Sequence, residues 1–218
     1  MEMMDSDSAR QQMVGQQVRT WDVFDEDVLE AMSAVARERY VPEAFRHCAY
    51  ADVEIPLAHG QCMLRPSLAG KILQAVDIRA GDRVLEVGTG TGYLTSCISR
   101  IAGTVTSIDI HDEFIRSARA ALDEEGVDNA TLQCLDATVE LPAGDFDVII
   151  VTASLPAEDP RFADALKPGG RLFVVVGESP VMTARLITRH DSGLTTEALF
   201  ETDIPALMAP VRPPAFSF

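Results

Sequence analysis

The feature that most constrains this chain is a glycine-rich turn between a short apolar run and a helical pattern. It reads Val84-Leu85-Glu86-Val87-Gly88-Thr89-Gly90-Thr91-Gly92-Tyr93. Glycines let the backbone turn sharply and let a ligand approach the main chain. A strand feeding such a turn and then a helix opens a β-α-β crossover, and repeated crossovers build a parallel sheet. In open sheets of that kind ligands bind beyond the carboxyl ends of the strands.

The residues after Gly81 continue the alternation. Strands are expected over 83–87, 104–110, 130–136, 146–153 and 171–177. Helices are expected over 92–102, from a cap at Asp112 to about Glu125 with Gly126 at C′, and over 160–166. Two more strands, 183–190 and 197–204, flank a turn at Asp191-Ser192-Gly193. The predicted fold class is α/β: a doubly wound, mostly parallel, seven-stranded Rossmann-like sheet with helices on both faces and an antiparallel final hairpin. The first eighty residues read as helical. Asp25 is a plausible N-cap for Val28, Leu29, Met32, Val35 and Ala36 at helical spacing. Tyr50 to Pro66 reads as an extended loop, and a helix carrying Leu68, Ile72, Leu73 and Val76 follows. Residues 1–80 are read as a substrate-side region and 81–218 as the ligand-binding region of one compact domain. Pro205 onward, with Pro210, Pro213 and Pro214, is a tail. The 218 residues suffice for one such domain.

Composition narrows the partners. The formal net charge is −16, from 34 acidic against 18 basic residues. A field of that sign repels phosphate backbones, so nucleic acid is not an expected partner. No apolar run is long enough to span a bilayer, and MEMMDSDSARQQ lacks the basic and apolar parts of a signal peptide. A cytoplasmic protein, monomer or homodimer, with no membrane partner is expected. Cys48, Cys62, Cys97 and Cys134 lie far apart and are expected to be thiols. His47, His59, His111 and His190 show no zinc-ligand spacing, so no metal is expected.

Two ligand classes compete for the glycine turn. Dinucleotides favour G-x-G-x-x-G, with pyrophosphate at the helix N-terminus. Here the third glycine arrives one residue early and Tyr93 takes the place of the dinucleotide glycine. Glu86, two residues before Gly88, would repel a pyrophosphate. It suits a ligand with positive charge, such as the amino group and sulfonium of S-adenosyl-L-methionine. Asp109, 21 residues beyond Gly88, can accept from both ribose hydroxyls. Asp136 with Ala137 is placed for the adenine edge. Any one of these carboxylates would also serve as a helix N-cap; three at consecutive strand ends favour the cofactor. The expected cofactor site is Met63, Glu86, Gly88, Thr89, Gly90, Gly92, Tyr93, Asp109, Ile110, Asp136, Ala137 and Thr152.

The acceptor is narrowed by absence. After the fourth strand stands Val151-Thr152-Ala153-Ser154-Leu155-Pro156, not the Asp/Asn-Pro-Pro-aromatic turn of amino-nitrogen methylation. There is no Pro-Cys for carbon methylation of pyrimidines. A carboxylate acceptor fits, since it is ionised at neutral pH and needs no general base. Alignment and water exclusion then supply most of the acceleration.

From about Met13 to Gly177 the chain resembles the protein-L-isoaspartate O-methyltransferases. The blocks are Met13-Val14-Gly15-Gln16-Gln17-Val18-Arg19, Val28-Leu29-Glu30-Ala31-Met32, Arg37-Glu38-Arg39-Tyr40-Val41-Pro42, Ala49-Tyr50-Ala51-Asp52, Ile55-Pro56-Leu57 with Gly60-Gln61, the glycine turn, Phe146 to Ala153, and Leu166-Lys167-Pro168-Gly169-Gly170. The resemblance implies methyl transfer to the α-carboxylate of L-isoaspartyl residues in damaged proteins. The departures fall at the implied acceptor site. Where the family reads G-Q-T-I-S-x-P, this chain reads Gly60-Gln61-Cys62-Met63-Leu64-Arg65-Pro66. Leu64 replaces a serine implied to touch the isoaspartyl group. The family's Gly-Asp-Gly is Leu135-Asp136-Ala137, and its R-F-V-P-L segment is Thr202 to Leu207. Cys62, Leu64 and Arg65 are therefore the candidate acceptor-site positions. Arg65 could clamp a carboxylate or simply be a solvated loop arginine. His59 is a substrate contact or a loop histidine, Cys62 and Met63 are expected to pack around the cofactor, and Tyr93 and Trp21 are expected to pack. Two alternatives stay open: a methyltransferase of the same fold acting on another carboxylate or small molecule, and a non-catalytic cofactor-binding protein.

Overall fold

The computed structural model describes residues 6–208. Helix α1 (Ser6–Gln12) runs on through a π-helical turn, Met13–Val18, and a 3₁₀ turn, Arg19–Trp21. Helix α2 (Glu26–Ala34) starts where Asp25 Oδ1 accepts from the Val28 amide at 3.0 Å, the N-cap expected from the sequence. It stops before Val35 and Ala36. The segment expected as an extended loop contains a small antiparallel hairpin, β1 (Ile55–Pro56) with β2 (Cys62–Met63). Two paired residues per strand are too few to leave a period in the sequence.

Helix α3 (Pro66–Val76) follows, and Asp52 caps it from a distance: its two carboxylate oxygens accept from the Ser67 amide and hydroxyl, each at 2.9 Å. The main sheet then forms from β3 (Arg83–Val87), β4 (Thr104–Asp109), β5 (Ala130–Cys134), β6 (Phe146–Leu155), β7 (Leu166–Glu178), β8 (Val181–His190) and β9 (Gly193–Thr202). Its order is β5-β4-β3-β6-β7-β8-β9. The first five are parallel neighbours, and β8 runs antiparallel to β7 and β9.

Helices α4 (Tyr93–Ser99) and α5 (Asp112–Glu124) join α2 and α3 on one face, and α6 (Pro160–Asp164) covers the other. Val84, Val148 and Ile150 point into the larger core; Leu85, Val87, Ile149 and Val151 point into the smaller one. Strands buried on both faces read as continuous apolar runs, which is why β3 and β6 are legible. The larger core unites residues from Met13 to Ile204.

Several boundaries differ from expectation. Asp112 is the first residue of α5, with His111 at the cap position and no side-chain cap bond. An acidic residue there favours the helix dipole without capping. Asp136 lies beyond β5, in a turn. Strand β9 begins four residues earlier than expected, at Gly193, because Asp191 and Ser192 alone form the turn and His190 pairs with Gly193. Most of β9 is exposed, so no alternating pattern marked its start. Among the described residues no helix is long and apolar enough to cross a membrane.

Candidate active site

Strands β4 and β5 lie on one side of β3, and β6 on the other, so the strand order reverses between β3 and β6. That reversal opens a crevice at the carboxyl ends of the strands. A cleft of about 930 Å³, open solvent at its mouth included, occupies it.

The glycine turn forms its floor. Gly88 has φ +100°, and a side chain there would bring Cβ to 2.2 Å from Thr152 Oγ1. Thr152 Oγ1 in turn lies 2.9 Å from Val87 O and 3.1 Å from Gly88 O, tying the turn to β6. At Thr152 the sheet is irregular. Ile150 pairs with Phe173 and Ser154 with Val175, so β6 uses four residues where β7 uses two. Such bulges re-aim side chains beside sites. Gly92 has φ +84°, and a Cβ would stand 2.8 Å from Ala118 Cβ. Its role is the packing of α4 on α5, and it does not line the cleft.

Four of the turn's amides are already engaged. Gly88 N and Thr89 N donate to Ile108 O at 2.8 and 3.1 Å, Gly92 N donates to Thr89 O at 2.9 Å, and Gly90 N donates to Asp109 Oδ2 at 2.9 Å. A phosphate cradle needs such amides pointing at its ligand. Four amides of this turn point inward instead.

The carboxylates are the complement. Glu86 is fully buried. Its Oε2 accepts from Thr95 Oγ1 at 2.5 Å and Ser107 Oγ at 2.6 Å, and Thr89 Oγ1 lies 2.6 Å from Ser107 Oγ. Its Oε1 has no protein partner among the described residues, and the residue lines the cleft. Burial pushes the carboxyl up to about 7, against the pull of the Ser107 and Thr95 hydrogen bonds and with a further push from Asp109. Asp109 Oδ1 accepts from His111 N at 2.9 Å, so both of its oxygens are aligned by backbone amides. Asp136 Oδ1 holds Thr138 N at 2.9 Å and Thr138 Oγ1 at 2.7 Å, while its Oδ2 is buried without a partner among the described residues. Asp136 thus organises its own turn and still presents an acceptor.

The remaining expected residues divide. Met63, Thr89, Gly90, Tyr93, Ile110, Ala137 and Thr152 line the cleft, as do Cys62 and Leu64. Arg65 does not. It occupies the N-cap position of α3, and its guanidinium lies over Trp21, 5.6 Å from the ring centroid. At the start of α3 the chain turns away from the cleft wall, and the Arg65 side chain packs on Trp21 instead. Trp21 is 45% exposed and partners Arg65 and Lys71 rather than a core. Tyr93 is buried, edge-on to Tyr40. Burial, with Glu54 adding, pushes the Cys62 thiol up to about 12.

Sequence reading missed Ser107, Thr95, His111, Phe114 and Arg37. The signal for Ser107 was present: a hydroxyl inside an apolar parallel strand, in register with Glu86, is what a buried carboxylate requires. His111 and Phe114 line the cleft, and the His59 ring stacks on His111 at 3.8 Å and 8° with Nε2 2.7 Å from Glu113 Oε1.

The reversed parallel sheet, with Glu86, Asp109 and Asp136 gathered in its crevice, defines the class: S-adenosylmethionine-dependent methyltransferases. Residues 8–202 match the family described as protein-L-isoaspartate(D-aspartate) O-methyltransferase. A protein-L-isoaspartate O-methyltransferase of Opitutus terrae is 36% identical over 184 residues, 84% of this chain and 79% of the relative. That of Brucella anthropi is 35% identical over 209 residues, 94% of each. The chain belongs to the protein-L-isoaspartate O-methyltransferase family. The fold is shared with a Plasmodium falciparum member solved with S-adenosyl-L-homocysteine, at TM-score 0.78 and 20% identity over 91% of this chain and 98% of that one. A second solved protein-L-isoaspartate O-methyltransferase also superposes at TM-score 0.78, with 23% identity over 91% of this chain and 66% of that one.

Proposed function

We propose that the chain transfers a methyl group from S-adenosylmethionine to the α-carboxylate of L-isoaspartyl residues in peptides and proteins. The observation that carries this reading is the pairing of two buried, unpartnered carboxylate oxygens, Glu86 Oε1 and Asp136 Oδ2, with a glycine turn whose amides are engaged. That acceptor-rich cleft fits a cationic nucleoside.

Bound there, S-adenosylmethionine supplies an electrophilic methyl group on a sulfonium. Glu86 Oε1 would hold the cationic end, with Thr95 and Ser107 fixing the carboxylate. The remaining lone pairs of Asp109 would accept the ribose hydroxyls. Asp136 Oδ2 would accept the adenine amino group between Ile110 and Ala137. Gly88, Thr89 and Gly90 would pass beneath as bare backbone. Met63, Leu64 and Leu57 exclude water from the reacting face. Cys62, held as a thiol, neither competes for the methyl group nor acts as a base. The acceptor is ionised without help, so this chain has only to align it. In this reading the described part of residues 1–80 forms the acceptor side and that of 81–218 the cofactor side. Four unpaired thiols fit a reducing, cytoplasmic setting.

The test is an incubation of enzyme, methyl-labelled cofactor and matched isoaspartyl and aspartyl peptides. The expected product is a base-labile ester on the isoaspartyl peptide alone. No ester at high enzyme concentration overturns the reading. Leu64 and Cys62 put no serine or threonine hydroxyl on that stretch of the cleft wall, which favours one second reading: a different carboxylate as acceptor. Esterification of a small carboxylic acid in preference to the peptide would select it.

A further inference from the structure

The most deeply buried cation among the described residues lies outside the cleft lining. Arg37 is 0% exposed, in a short 3₁₀ turn, Arg37–Arg39, after α2. A buried charge ordinarily meets a carboxylate. Arg37 meets backbone. Its Nε donates to Ala49 O at 2.9 Å and its Nη2 to Leu64 O at 2.7 Å, while its Cζ stands 4.6 Å from the centroid of the Tyr93 ring.

Those two carbonyls are the two legs of one hairpin. The chain leaves Ala49 and is turned by Asp52, which caps α3. It runs up β1, rounds Leu57 to Gln61, and returns down β2 to Leu64. Backbone pairing covers only Ile55 with Met63 and Pro56 with Cys62, plus Leu57 N to Gln61 O at 2.8 Å. Below that the legs are bridged by the Arg37 guanidinium. The hairpin is also the acceptor-side wall: Leu57, Gln61, Cys62, Met63 and Leu64 all line the cleft. At its tip Leu57 Cδ1 lies 3.8 Å from where a Cβ on Gly90 would sit. The π face that receives the guanidinium belongs to Tyr93, the residue after the glycine turn. One planar group therefore joins both legs of the acceptor wall to the floor of the cofactor cleft.

We propose that Arg37 is a positioning residue for methyl transfer, setting the acceptor hairpin 49–64 against the glycine turn. This rests on the acceptor-side reading given above. A guanidinium carries diverging, planar donors on a long stem and a face that stacks, whereas lysine is a point charge on a flexible stem. Arg37 has no carboxylate hydrogen bond, so an apolar side chain of similar volume in its place strands no partner charge. The change nevertheless leaves two inward carbonyls without donors, and they regain partners only if the legs part and admit water. Alignment of the acceptor is what that parting removes.

The test compares Arg37→Met and Arg37→Lys with the unaltered full chain by three readouts: calorimetric affinity for S-adenosylhomocysteine, kcat/KM for an isoaspartyl peptide, and backbone hydrogen exchange. In Arg37→Met the acceptor kcat/KM is expected to fall roughly thirtyfold or more. Cofactor affinity should move by less than about threefold, the scale of a site left in place. Amides of 50–64 exchange faster while those of β3 and β6 keep their protection. Arg37→Lys is expected between the two, since it retains the charge and one bond. Unchanged acceptor kcat/KM and unchanged exchange across 50–64 overturn the proposal. So does a parallel loss of cofactor affinity, acceptor turnover and sheet protection, which marks a merely structural role. If Arg37→Met does not fold, Arg37→Lys decides by the same readouts. If the unaltered chain makes no ester on any peptide, the acceptor reading fails by itself, and the exchange arm still decides what Arg37 does.

Discussion

The two walls of the cleft are built on different principles. The cofactor wall hangs on sheet register: Glu86 lies opposite Ser107 and Asp109 opposite Cys134, each fixed by ladders of backbone hydrogen bonds, and Gly88 directly follows the last ladder residue of β3, Val87. The acceptor wall hangs on side chains that reach across the chain. Asp52 caps a helix 15 residues on, Arg37 grips Ala49 and Leu64, and His59 rests on His111. A ladder places every residue along it at once, whereas a side-chain tie places one. The first wall therefore tolerates change poorly at its glycines and carboxylates, and the second can be rebuilt piecemeal. The sequence departs from the family pattern in both walls, at Leu135 and Ala137 around Asp136 in the first and at Cys62 and Leu64 in the second.

The contrast can be broken most severely at Gly88. Gly88→Val drives a branched side chain into Thr152 at a φ such residues avoid. Loss of more than about a hundredfold in S-adenosylhomocysteine affinity is expected, the scale of several kcal/mol of overlap and strain. An unchanged calorimetric isotherm would remove the cofactor wall from the account.

Next in size is the pH response of Glu86. Its carboxyl is pushed up to about 7, and a cationic ligand binds the ionised form. Cofactor affinity should therefore fall as pH drops below about 7, approaching tenfold per unit. The stability of the ligand-free protein should move the other way. A carboxyl raised in the folded state holds its proton where the unfolded chain has released it. Its contribution is thus greatest in acid and is lost as pH rises from the ordinary 4.5 toward about 7. Glu86→Gln should flatten both curves. Parallel slopes in melting temperature and affinity would contradict the assignment.

A smaller and more selective effect belongs to the other wall. Leu64→Ser is expected to change kcat/KM for an isoaspartyl peptide several-fold and leave cofactor affinity within about twofold, as for residues with no shared partners. Equal movement of both constants would show that the walls are not independent. Smallest of all is His59→Ala. Its partner Glu113 is half exposed, so the pair contributes at most about 1 kcal/mol to stability. The expected sign is a modestly faster cofactor off-rate, read by stopped flow, because the hairpin tip loses its hold on α5.

The same contrast explains what was legible. The β3 turn and the buried strands announce themselves through apolar runs and glycines, and the strand-end acids through spacing. Ile55–Met63 does not, because a two-residue ladder has no period. The two readings of Arg65, clamp or loop arginine, could not be separated by sequence, because its contact with Trp21, 44 residues earlier, exists only in the fold. Arg37 escaped notice because an arginine between α2 and Tyr40 reads as solvated, and only the fold reveals that carbonyls 12 and 27 residues away are its partners. Strand β9 was misplaced because an exposed edge carries no burial pattern.

The inward-turned amides of the glycine turn have a consequence for ligand choice. Adenosine is the common handle of many metabolites, and most of them carry it on a phosphate chain. A cleft that grips the nucleoside but offers that chain no welcome admits one branch of adenosine chemistry and turns away the other. Its discrimination is then set by one loop and the carboxylates beside it, before any acceptor arrives.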